Sequence, residues 1–316
     1  MRIIFWGNGN RGVACLRALR DRGYCIDLVV VHPSSRGQWY GSVAETAGEL
    51  GLDVVAPPDP NDSEMAESLK TRGADLFVLA GYGKILHREI IDLARVMAIN
   101  LHAGKVPEYR GSSPLNWALI NGEDSFGLSI LKLDAGVDSG AVLLEREFEI
   151  SADATIGELH AVANEQFPAM LLETIKLIET GEYVLKAQDA QRAGYFPLRF
   201  PDDGLILWDQ LTAKQIHNRI RALTEPYPCA FTFYNGREVR LLKSELASDR
   251  HYGEPGRVYR VTDRGVLVCA ADECLWLRRA CFTDGDAQLA DCVQRYDRLA
   301  TVGEAVLQQL RGRTGP

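Results

Sequence analysis

Through its first half the chain alternates short β-branched runs with amphipathic stretches. Residues 2–6, 26–31, 53–56, 76–80 and 98–101 are predicted strands, while 12–22, 42–50, 63–71 and 84–93 carry apolar positions at helical spacing. Alternation in this order implies right-handed crossovers and an α/β domain whose mainly parallel sheet is covered by helices on both faces. A further helix is predicted over 112–121, capped by Ser112 or Ser113, with Pro114 in its first turn. Residues 128–133 and 142–148 alternate like strands on either side of a turn at Asp138. The stretch 155–180 reads as a long helix that Pro168 is expected to kink or split, because proline has no N–H and its ring crowds the preceding turn.

The second half has a different grain. Residues 184–204 are irregular and punctuated by proline, a helix is predicted over 212–223, and it stops before Pro226. Turn-separated runs at 230–234, 239–245, 256–262, 265–270 and 275–280 then predict a small β-barrel-like domain, followed by a polar, partly helical tail over 290–311. The expected division is a domain over 1–190, a linker over 191–204 and a second domain over 205–316.

Bulk properties narrow the class. With 316 residues, 46% hydrophobic and 25% charged, the chain has enough apolar content for two self-sufficient cores. No apolar run approaches the roughly 18 residues a membrane span needs, and the N-terminus reads as a strand rather than a signal peptide, so a cytoplasmic location is expected. The seven cysteines include no C-x-x-C pair and read as buried apolar thiols, so no metal is expected. Net charge is −8, and residues 205–316 hold 16 Lys/Arg against 14 Asp/Glu. That balance argues against a nucleic-acid partner, which would call for a clear cationic excess.

The turn Gly7-Asn-Gly9-Asn-Arg-Gly12 follows a strand and opens a helix, as a dinucleotide fingerprint does. The acid that should end the second strand is missing; that strand runs into His32-Pro33. Contact with a phosphate or sugar-nucleotide by Asn8 and Arg11 is favoured over a dehydrogenase reading.

Candidate chemistry gathers elsewhere. Asn100 and His102, two apart on a strand, share one face, and a glycine-flanked turn supplies Asp138. Amide, imidazole and carboxylate are a donor, a base and an orienter, the parts needed to move an acyl group onto an amine. Taken singly, Asn100 also reads as a turn residue, His102 as a satisfied core group and Asp138 as an Asx turn.

Asn100-x-His102, Pro107-Glu-Tyr-Arg-Gly111 and Asp134-Ala-Gly-Val-Asp-Ser-Gly140 together resemble the signature of the formyltransferases that use N10-formyltetrahydrofolate. The resemblance implies a Rossmann-like formyltransferase domain followed by an OB-like β-barrel domain, the two-domain architecture of methionyl-tRNA formyltransferase. It also implies that His102 accepts the amine proton, Asn100 donates to the oxyanion and Asp138 fixes the imidazole. The run 79–86 resembles the segment that lines the family's pterin pocket, which makes Tyr82, Gly83, Lys84 and Ile85 folate contacts, with Asp134 on the opposite loop. The sequence departs from the commoner H-x-S-L-L-P form, with Gly104-Lys105-Val106 in place of Ser-Leu-Leu.

The loop over 33–41 carries a single positive charge and is similar to that of the sugar-nucleotide N-formyltransferases, such as UDP-4-amino-4-deoxy-L-arabinose formyltransferase. A run like 40–44 follows the loop there too, and a run like 199–203 precedes the second domain. The resemblance makes Asn8, Arg11, Tyr40, Arg110 and Arg199 acceptor contacts, with Trp39 and Tyr40 as candidates to stack on a base and Arg199 to pair with a diphosphate. The expected acceptor is a nucleotide-linked amino sugar, then N5-hydroxyornithine, then methionyl-tRNA. A folate or nucleotide sensor is the reading from a different class. No membrane partner is expected, and a homodimer is left open.

Overall fold

The computed structural model describes residues 1–33, 41–285, 287–300 and 303. The chain divides into two compact units. The first comprises Met1–Pro114, Ser125–Glu149 and His160–Pro197, and the second Leu115–Asp124, Ile150–Leu159 and Leu198–Pro316.

In the first unit β1 (Arg2–Gly7), α1 (Gly9–Asp21), β2 (Cys25–Val30), α2 (Val43–Glu49), β3 (Val54–Val55), α3 (Ser63–Arg72), β4 (Leu76–Ala80), α4 (Arg88–Ile91) and β5 (Met97–His102) follow the predicted alternation. A short β6 (Arg110–Gly111) leads to α5 (Pro114–Asn121), which belongs to the second unit beyond Pro114; β7 (Ser125–Lys132), β8 (Val142–Glu149), α6 (Ile156–Thr180, of the first unit from His160) and β9 (Tyr195–Phe196) follow. The sheet order is β3-β2-β1-β4-β5-β7-β8. The first five strands are parallel, and β7 and β8 join antiparallel. This is the α/β architecture the alternation predicts. Strands β1 and β4 are apolar on both faces, and Trp6, Leu28, Phe77, Leu79 and Ile90 share one core layer.

Two helices differ from expectation. The run 84–93 is helical only over Arg88–Ile91. Upstream, the Lys84 ammonium donates to the carbonyls of Pro57 and Pro58, the Ile85 carbonyl accepts from Asn61, and the His87 N–H donates to Asn61 Oδ1. Those bonds keep the segment out of the helix against its helical periodicity. Helix α6, by contrast, is not split at Pro168 and continues through it as one helix. Proline removes one backbone bond, but Phe167, Met170, Leu171 and Ile175 are fully buried around it, and that packing outweighs the missing bond.

In the second unit α7 (Ala213–Leu223) opens on a capping box, in which Thr212 Oγ1 accepts from the Gln215 N–H and the Gln215 side chain returns to the Thr212 N–H. Strands β10 (Ala230–Tyr234), β11 (Arg237–Leu246), β12 (Val258–Thr262), β13 (Gly265–Cys269) and β14 (Cys274–Phe282) form one antiparallel sheet in the order β10-β11-β14-β13-β12. That is the predicted small β domain. Trp208, fully buried, donates its indole N–H to Thr232 Oγ1 at 2.8 Å. Past β14 lies a four-residue helix α8 (Leu289–Cys292), and residues 301–302 and 304–311 of the predicted tail fall outside the described residues.

Candidate active site

The carboxyl ends of the central parallel strands converge on one edge of the sheet. Gly7 of β1 pairs with Ala80 of β4, Leu79 pairs with Asn100 of β5, and the Asn8 N–H donates to the Ala80 carbonyl. Strand order reverses between β1 and β4, and such a switch point is where open α/β sheets hold ligands. Three predicted segments, at Asn8, at 82–85 and at Asn100–His102, therefore emerge together.

Asp138 joins them from the loop between β7 and β8. That loop is shaped by its own bonds: Asp134 Oδ1 accepts from the Gly136 N–H at 3.0 Å and from Ser139 Oγ at 2.9 Å. Asp138 itself sits in the left-handed region at φ 49°, unusual for a side chain with a Cβ. Its Oδ1 accepts from Asn100 Nδ2 at 3.1 Å, and its Oδ2 accepts from the Gly111 N–H at 3.0 Å. The same Oδ2 lies 3.4 Å from His102 Nδ1. The side chains of His102 and Asp138 are 6% and 13% exposed, so little water screens the pair.

The other ring nitrogen of His102, Nε2, meets the Tyr109 carbonyl at 2.6 Å. A carbonyl only accepts, so Nε2 carries the proton. A neutral ring then turns the Nδ1 lone pair toward Asp138, and only the imidazolium satisfies both sides. The close packing explains Gly104: a Cβ there would lie 2.5 Å from His102 Nε2, 2.6 Å from the Tyr109 carbonyl and 2.9 Å from Pro114 Cβ. Glycine where the family commonly has serine is thus tied to this seating of the imidazole.

Of the predicted folate contacts, Tyr82 is buried and stacked on His32 (centroids 4.4 Å, planes 4° apart) with its edge to Trp6. The Tyr82 hydroxyl is buried without a hydrogen-bond partner among the described residues, and burial pushes it up to about 12. Gly83 donates its N–H to His32 Nε2 at 3.0 Å, which makes His32 a neutral acceptor. Burial, then the Lys84 charge, lower its pKa in the same sense. Lys84 is tied to carbonyls, Ile85 is 63% exposed, and Asp134 braces its own loop. In the sequence His32 only marks the end of a strand that lacks the dinucleotide acid; nothing local to it signals the contact with 82–83.

The predicted acceptor contacts fall on elements of both units. Asn8 stands at the switch point, and Arg11 lies over the Phe167 ring at 4.9 Å. Arg110 is 4% exposed and committed, with Nε to Gln188 Oε1 at 2.9 Å and Nη1 to Tyr195 Oη at 2.7 Å. Arg199, in the second unit, lies over Trp117 at 4.9 Å, and its Nε is buried without a hydrogen-bond partner among the described residues. Burial lowers its pKa, and Asp203 opposes the shift. Trp39 and Tyr40 lie outside the described residues. Gln188 carried no motif, yet its amide reaches the Asp138 loop. Among the described residues no group of three His, Cys, Asp or Glu could hold a metal, and no helix is long and apolar enough to cross a membrane.

Against known proteins, the family model described as formyl transferase matches residues 1–175, and that described as formyl transferase, C-terminal domain, matches 200–292. A methionyl-tRNA formyltransferase of Ruminiclostridium cellulolyticum is 35% identical over 289 residues, covering 89% of this chain and 92% of that protein. Among solved structures, an N-formyltransferase from Helicobacter canadensis in complex with folinic acid and dTDP-3-aminofucose aligns with a TM-score of 0.70 at 18% identity, over 87% of this chain and 98% of that one. HypX from Aquifex aeolicus aligns with a TM-score of 0.62 at 21% identity over 89% of this chain, which spans 45% of that longer protein. At such identities the two structures speak for the fold alone.

Proposed function

This chain belongs to the formyl transferase family, and from that premise we propose that it moves a formyl group from N10-formyltetrahydrofolate to a primary amine at Asn100, His102 and Asp138. The observation that carries the reading is the convergence of an amide, an imidazole and a backbone N–H on one partly buried carboxylate. The folate supplies the activated formyl group. Residues 82–85, fixed in place by His32, Asn61 and the carbonyls of Pro57 and Pro58, would hold its pterin, with the loop at Asp134 opposite.

Each side chain then has one task. The second N–H of the Asn100 amide has no partner among the described residues and can meet an oxyanion. His102 Nε2 is spent on Tyr109, so the amine's proton goes to Nδ1, on the side facing Asp138, and from there His102 would return it to the N10 nitrogen as the formyl C–N10 bond breaks and tetrahydrofolate leaves. The carboxylate stabilises the resulting imidazolium and holds the ring in one orientation.

For the acceptor, the relatives support the amine of methionyl-tRNA ahead of the amino sugar that the loop resemblance favours, because the 35% relative carries that substrate in its name. Net charge supports a second reading, a small amine such as a nucleotide-linked amino sugar. The chain is −8, and residues 205–316 hold 16 cations against 14 anions, little with which to neutralise an RNA backbone. Formyl transfer assayed with methionyl-tRNA and with a panel of nucleotide-linked amino sugars separates them. A steep fall of tRNA affinity with salt, together with turnover, favours the first reading; turnover on a sugar with no salt-dependent tRNA binding favours the second. Turnover on neither, with folate bound, sinks both.

A further inference from the structure

We infer that Gln188 is a positioning residue for the Asp138 carboxylate, with Arg110 setting the orientation of its amide. The activity arm of this inference rests on the formyl-transfer reading; its structural arm does not. Gln188 belongs to none of the motifs, yet both its N–H donors and its carbonyl oxygen are engaged at the site. Its Oε1 accepts from Arg110 Nε at 2.9 Å, while Nε2 donates to the Asp138 carbonyl at 2.9 Å and to the Gly140 carbonyl at 2.7 Å.

Direction is built into that arrangement. A guanidinium has no acceptor, so an amide turned end for end would set Nε2 against Arg110 and Oε1 against two carbonyls, losing three bonds at once. Arg110 is itself buried and held by Tyr195 Oη, so the fork starts from a fixed point. The two carbonyls bracket Ser139, next to the residue whose backbone stands at φ 49°. A backbone held in a sparsely populated region stays there only if its surroundings over-determine it. At the side-chain end the Gly111 N–H holds the carboxylate, and Gly111 follows Arg110 directly in β6. Residues 110, 111 and 188 thus clamp Asp138 by backbone and side chain together. Arg110, read from sequence as an acceptor contact, has its charge turned inward to this task.

The test is Gln188→Glu beside Gln188→Met. Glutamate keeps the acceptor for Arg110 but faces the two carbonyls with an oxygen, and methionine removes all three bonds without adding charge. Both variants are expected to lower kcat by roughly 10²-fold, the scale of a small misplacement of reacting groups. KM for donor and acceptor should stay within about twofold, because the binding segments are untouched. Amide hydrogen exchange should quicken across 136–140 and remain unchanged in β4 and β5. Wild-type kcat with wild-type exchange over 136–140 in the methionine variant overturns the inference, as does faster exchange throughout the first unit, which marks a general loss of stability. If the unaltered protein formylates no amine, the functional reading falls, and the exchange comparison decides this inference by itself.

Discussion

Asp138→Asn removes one charge and almost no volume, which makes it the sharpest probe of the site. In the native arrangement both carboxylate oxygens accept, Oδ1 from Asn100 and Oδ2 from Gly111, with His102 Nδ1 beside Oδ2. An asparagine offers one acceptor and one donor. If its oxygen takes the Asn100 side, its NH₂ can donate to the His102 Nδ1 lone pair but faces the Gly111 N–H; reversed, it faces the Asn100 NH₂. Either way two donors meet in a buried place, at a cost of about 1–3 kcal/mol for the bond left unmade. The rate should fall much further. Without the carboxylate nothing stabilises an imidazolium at Nδ1, and loss of an acid–base group lowers rates by about 10²–10⁴. At 1.36 kcal/mol per tenfold that is about 3–5 kcal/mol of barrier. Formyl transfer followed under donor saturation, with thermal unfolding and folate binding measured on the same preparation, checks both numbers. Turnover within about threefold of the parent, well inside the range expected for an acid–base group, would refute the role given to Asp138. So would a rate loss that tracks the unfolded fraction.

Four further outcomes are expected. Gly104→Ala should lower kcat while leaving folate binding in place, because its Cβ would meet His102 Nε2 at 2.5 Å and the imidazole must yield; unchanged kcat in that variant contradicts the seating described. His32→Phe keeps the stack on Tyr82 but deletes the acceptor for the Gly83 N–H, so folate affinity measured by calorimetry should weaken, and parent-like affinity separates His32 from the pocket. Arg199→Ala should raise the acceptor's KM with kcat little changed, as loss of uniform binding does; a fall in kcat alone argues against a binding role. Burial, then Arg11, hold His160 down at about 4 against an ordinary 6.5, so the unfolded chain takes its proton first. The associated stability is complete above pH 6.5 and is lost as pH falls toward 4, by about 3 kcal/mol, and His160→Gln should flatten that part of the stability–pH curve in urea titrations.

Much of the fold was legible because its determinants are local. β-Branched runs at 2–6, 76–80 and 98–101 separated by helical spacing leave little choice but a parallel sheet, and the observed strands keep close to those bounds. The strand repeat of two likewise put Asn100 and His102 on one face before any contact was known. Where local pattern and distant contact disagreed, the contact won. Helical spacing over 84–87 yielded to bonds from residues 57, 58 and 61, and the break expected at Pro168 was overruled by burial on both sides of it.

By itself, then, the sequence determined the layered α/β architecture, the β-rich second domain and the two strand-borne members of the site. Tertiary structure alone decided that Asp138 meets Asn100 across 38 residues, that Gln188 grips the same loop across 50, and that Arg110 points inward. The physical reason is that periodicity records which face of an element is buried, a property of neighbours along the chain. Which side chains finally touch depends on the antiparallel register of β5 with β7 and on loop closures between them, and those are fixed only when the whole unit packs.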